Sequence, residues 1–72
     1  MEFYEIQIKG HLDQRRAAGF EGLALTLLPT GATRLTGAVT DQAALYAILT
    51  RIRDLGLPLL LVERKEELAE QP

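Results

Sequence analysis

His11 and Asp13 stand two residues apart in the run Lys9-Gly10-His11-Leu12-Asp13, and Arg15 follows two residues later. A histidine beside a carboxylate is the arrangement of an oriented general base, and a nearby guanidinium would help it hold a small anion or metabolite. Catalysis needs more than this pair. No Ser, Cys or second His is close in sequence to serve as nucleophile or further ligand. The same residues also make structural sense as a turn, with Asp13 capping the next helix and His11 solvated or bonded to backbone. His11, Asp13 and Arg15 are therefore kept as a candidate ligand-binding set. No catalytic residue, metal ligand or cofactor is assigned.

Other reactive-looking groups lead less far. Arg15, Arg16, Arg51, Arg53 and Lys9 would form an anion-binding patch only if two helices lay side by side, and Asp13, Glu21 and Asp54 would dilute its field. Arg51 and Arg53 are two apart and so point in different directions from a helix. Gly19, Gly22 and Gly31 match neither a dinucleotide fingerprint nor a P-loop. Glu66 and Glu67 fall in a charged tail, where they serve solubility.

The elements that must position these residues can be read from periodicity. Tyr4, Ile6 and Ile8 alternate with Glu5, Gln7 and Lys9, the pattern of a half-buried strand ended by Gly10. Asp13 caps a short helical turn from Gln14 to Ala18, stopped by Gly19. Leu23 to Leu28 and Thr33 to Val39 read as two strands joined by the turn Pro29-Thr30-Gly31-Ala32. The strongest signal is a helix from Thr40 or Asp41 whose Leu45, Ile48, Leu49, Ile52 and Leu55 fall on one face, closed by Gly56 and Pro58. Leu59 to Val62 lack polar alternation and read as a strand covered on both faces.

This order, β-α-β-β-α-β with a short first helix, is the ferredoxin-like split βαβ. It predicts an α+β fold, a four-stranded antiparallel sheet with helices on one face. Residues 1–64 would form a single domain, and 65–72 a charged tail, frayed or a short helix. The open face would then show Phe3, Ala24, Thr26, Leu28, Ala38, Leu59 and Leu61 among Glu5, Gln7, Lys9 and Arg34, a candidate interface.

Composition narrows the classes. The chain has 72 residues, 47% of them hydrophobic and 25% charged, with a net charge of −2. Disorder would need less apolar material. The apolar run Leu55 to Val62 is too short to cross a bilayer, and Glu2 and Glu5 exclude a signal peptide, so a cytoplasmic location and no membrane partner are expected. Eight basic residues scattered among ten acidic ones disfavour nucleic acid. With no cysteine, neither disulfides nor thiolate metal sites are available. A chain this size buries only roughly 60% of its unfolded surface. Ordering costs about 1.5 kcal/mol per residue and nearly cancels the gain. A partner subunit is the remaining staple.

The blocks Lys9-Gly10-His11-Leu12-Asp13, Leu35-Thr36-Gly37 and, above all, Thr40-Asp41-Gln42-Ala43-Ala44-Leu45 through Ile52-Arg53-Asp54-Leu55-Gly56-Leu57-Pro58-Leu59-Leu60 also carry a resemblance. The chain resembles, over residues 4–63, a family of short, uncharacterised bacterial proteins with these blocks in this order. The resemblance implies no activity. Members of that family commonly carry tryptophans in the first helical segment, where this chain has Arg16 and Gly19. The topology is more loosely similar to ACT-like and other ferredoxin-like domains, which often associate and bind small ligands at subunit interfaces. Three functions are thus weighed. The first is a non-enzymatic module binding itself or another protein through the sheet face or an edge strand. The second is a small-ligand sensor near His11, and the third and weakest is an enzyme using His11.

Overall fold

A computed structural model describes residues 2–20 and 22–65. Four strands, β1 (Glu2–Lys9), β2 (Ala24–Leu27), β3 (Ala32–Val39) and β4 (Leu59–Lys65), form one sheet in the order β2-β3-β1-β4. Every adjacent pair is antiparallel. Read from the other edge this is 4-1-3-2, the ferredoxin-like order expected from the sequence. Two helices, α1 (Gln14–Ala17) and α2 (Gln42–Asp54), complete the α+β fold.

The alternation in β1 becomes the floor of the core. Tyr4, Ile6 and Ile8 are buried, and Ile6 and Ile8 face Leu35 and Thr33 of β3 in register. Over this floor pack Leu12, Phe20, Leu45 and Ile52, all in one cluster with Val39. Both helical segments therefore cover the same face. Each of these side chains, fully buried, contributes roughly 1.5–3 kcal/mol of apolar transfer free energy.

The helix signals act as their chemistry predicts. Asp41 Oδ1 accepts from Ala44 N at 2.8 Å, closing the first turn of α2. Gly56 takes a left-handed φ of +73°, and Leu57 N donates back to Ile52 O at 3.2 Å, which ends the helix before Pro58. Asp13 Oδ1 accepts from Arg16 N at 2.8 Å and caps α1. That helix is shorter than the sequence suggests. After Ala17 it tightens into a 3-10 turn, Ala18–Phe20, which brings Phe20 into the core. Arg51 of α2 lays its side chain over Gly19, so a Cβ there would have to displace it.

β4 departs most from expectation. The sequence reads as a strand covered on both faces that stops at Val62. In the fold it is an edge strand, bonded to β1 alone, and it continues through Glu63, Arg64 and Lys65. The charges continue because β1 answers them. Lys65 Nζ lies 3.3 Å from Glu5 Oε1 and 3.5 Å from Glu63 Oε1, neutralising two carboxylates that the register sets opposite each other. Arg64 reaches Glu2 Oε2 at 3.5 Å. The tail beyond Lys65 lies outside the described residues.

Candidate functional site

The His11 end is tied down by its own polar groups. Gly10 turns the chain out of β1 at φ +95°, and its N–H donates to Gly31 O at 2.8 Å. The Thr33 hydroxyl, fully buried, donates to Gly10 O at 2.7 Å and accepts from Leu12 N at 3.3 Å. His11 Nε2 donates to Leu28 O at 3.0 Å, fastening the loop to the hairpin turn. Asp13 spends a carboxylate oxygen on the α1 cap. Arg15 is exposed on α1. The described residues thus place His11 and Asp13 on different tasks, one across to the hairpin and the other forward to the helix. Among the described residues no three His, Cys, Asp or Glu side chains gather as a metal site would require.

The open face of the sheet is more polar than its apolar residues suggest. Phe3 faces Ala38 on one side and Lys65 on the other. Ala24 and Thr26 face Thr36 and Arg34, and Leu61 faces Gln7. Between them runs a ladder of polar groups: Gln7 Nε2 donates to Glu5 Oε2 at 2.7 Å, and Lys65 bridges Glu5 to Glu63. That donated bond, and then Lys65, hold the Glu5 carboxyl below its ordinary 4.5, against the opposing effect of burial. The bond to Glu5 and the charge of Glu63 raise the Lys65 ammonium above 10.5. Leu28 lies past the end of β2, half-buried in the turn. Leu59 stands opposite Ile8 because a β-bulge shifts the register between Gln7 and Ile8. The alternation that assigns Leu59 to the open face cannot see that bulge, whose register puts it on the side of Ile8.

A second concavity, about 280 Å³, opens where the loop before β2 meets α2. Leu23, Ala38, Val39, Ala44 and Ile48 line it, with Thr40 its only polar side chain. It lacks the convergent polar groups that orient a small molecule.

The free edge of β4 is different. Five large apolar side chains are exposed among the described residues: Leu27 at 51%, Tyr46 at 61%, Leu59 at 49%, Leu60 at 53% and Val62 at 39%. Three belong to β4. Val62 faces buried Ile6 and so points to the helix side, yet α2 leaves it uncovered. Tyr46, on α2, is the fourth of these side chains on this side of the fold by its helical position. Around α2 it shares a flank with Gln42, whose Nε2 donates to Tyr4 Oη on β1, the neighbour of β4. Ala44, Ala47 and Arg51 occupy the opposite flank, toward Leu23 and Gly19. An unpaired backbone edge and three exposed apolar side chains therefore lie together on β4, with Tyr46 on the flank of α2 turned toward that side. Sequence reasoning missed Tyr46, Leu60 and Val62 as surface residues. Tyr46 alone carried a signal, since it is an aromatic residue off the apolar stripe of α2.

The chain matches, over residues 3–63, the model of a domain of unknown function, DUF8691, and it belongs to that family. No curated protein and no solved structure matches it.

Proposed function

We propose that this domain is a non-enzymatic, self-associating module whose docking surface is the free edge of β4 with the adjoining flank of α2. One observation carries the reading: a strand with the composition of a buried strand stands exposed at the edge of a sheet. Native sheets protect such edges with charge, proline or brevity. Here charge protects only Glu63 to Lys65, while Leu59 to Val62 carry no charge or proline and are interrupted only by the bulge beside Ile8. The size of the chain points the same way, because a cysteine-free domain this small gains stability from burying more apolar surface.

Sedimentation equilibrium at micromolar concentration tests this. The unmodified chain is expected to weigh more than its 8.0 kDa monomer, with a concentration dependence. Leu60→Lys should weaken association at least 100-fold, about 2.7 kcal/mol, and leave the far-UV circular dichroism intact. A strict monomer, or a Leu60→Lys variant that associates as well as the parent, would remove the reading.

A further inference from the structure

Resting on that self-association reading, we propose that two copies pair β4 against β4, antiparallel about a two-fold axis at Leu61, giving a continuous eight-stranded sheet. In an isologous pair of antiparallel strands with the axis normal to the sheet, facing residues share a side, and each pairing occurs twice. Centring on Leu61 sets Leu60 against the partner's Val62 and Val62 against the partner's Leu60. Both lie on the helix side, Val62 through its register with Ile6 and Leu60 by alternation from Leu61, which faces Gln7 on the open side. Tyr46 of each copy flanks the pair. The four strand side chains and two tyrosines form a small closed core.

Charge disfavours the registers centred nearer the charged end of β4. Centring on Glu63 would set two carboxylates face to face, and centring on Val62 would set Leu60 against Arg64. With Leu61 on the axis, the shared-side pairing runs from Leu60 to Val62. Leu59, turned to the side of Ile8 by the register shift, does not share a side with the partner's Glu63, and Arg64 and Lys65 run past the start of the partner strand. No like charges meet. Arg64 and Lys65 also keep their intrachain partners Glu2 and Glu5.

The area suits a dimer. Covering the exposed parts of Tyr46, Leu59, Leu60 and Val62 removes roughly 350 Å² of apolar surface per copy. Two copies, with the paired backbone and the side-chain stems beside it, reach the roughly 1,000 Å² of a specific contact. The opposite edge, β2, has four residues and only Leu27 exposed as a large apolar side chain. It offers β4 no matching strip, so the assembly closes at two copies.

Because the chain has no cysteine, single substitutions report the register directly. Leu61→Cys, confirmed as folded and associated by circular dichroism and sedimentation, is oxidised and run under non-reducing denaturing conditions. The expected product is a disulfide-linked species of about 16 kDa, twice the 8.0 kDa chain. Thr26→Cys on β2 should give none. Should Leu61→Cys fail to fold, an equal mixture of Leu60→Cys and Val62→Cys decides the matter, since it should cross-link while neither variant alone does. An associated protein in which Leu61→Cys stays unlinked, or in which Val62→Cys links to itself, overturns the register and leaves self-association standing. A protein that is monomeric before oxidation fails the underlying reading as well.

Discussion

Between Lys9 and Asp13 the polar groups are tied to the hairpin turn and to the next helix, whereas along β4 three apolar side chains have no cover. The two regions begin from opposite impressions. His11 and Asp13 have the residue types of chemistry, and Leu59 to Val62 have those of an ordinary core strand. Geometry reverses the assignment. His11 Nε2 is committed to Leu28 O and Asp13 to the α1 cap, while Leu60 and Val62 stand half-open on an unpaired edge. A polar residue indicates function when its hydrogen bonds are left over, and an apolar one when its burial is.

The sharpest way to separate the regions is to damage the first and watch the second. Thr33→Val keeps the shape of the buried side chain but leaves Gly10 O and Leu12 N without their partner. It should cost about 2–3 kcal/mol in urea denaturation at fixed protein concentration. Self-association should survive at temperatures where the variant remains folded. Asp41→Ala removes the α2 cap, with an expected loss of about 1 kcal/mol and again no change in the associated mass. His11→Ala gives up one exposed bond to Leu28 O, an expected loss of about 0.5 kcal/mol by thermal melting. A collapse of association in His11→Ala would break the comparison, because it would give that end a role the structure does not.

The smallest effect concerns pH. The lowered Glu5 carboxyl contributes stability that is fully present above its unfolded value of 4.5 and is lost as pH falls through the folded value. The raised Lys65 ammonium contributes below 10.5, and that contribution is lost as pH rises through its folded value. Glu5→Gln should therefore flatten the acid limb of a melting-temperature profile as pH falls below 4.5. The neutral plateau should shift little.

Much of the fold was legible because periodicity and capping are local. The alternation of Tyr4, Ile6 and Ile8, the stripe from Leu45 to Leu55, and Asp41 with Gly56 each specify an element without reference to the rest of the chain. The strand order follows from their succession. The 3-10 continuation of α1 was not legible, since it is set by Phe20 reaching the core. Nor was the exposure of β4. An apolar run reads the same at the centre of a sheet and at its edge, and only the pairing shows that β4 has one neighbour. The bulge at Gln7 and Ile8, which turns Leu59 toward the side of Ile8, has no mark in the sequence. That β4 continues past Val62 was not legible, because the charges there are compensated by Glu2 and Glu5, some sixty residues earlier. Of the candidate site, the capping role of Asp13 was visible beside its chemical one, and the deciding Leu28 carbonyl was not.

Amide hydrogen exchange followed against protein concentration tests the central claim most directly. The outward amides of Leu59 to Glu63 belong to an edge strand and should exchange rapidly in dilute solution. The account predicts that their protection rises with concentration, in step with the sedimentation mass, while the amides of β2 at the opposite edge do not change. Protection that rises along β2, or β4 amides that stay rapid in a fully associated sample, would contradict it.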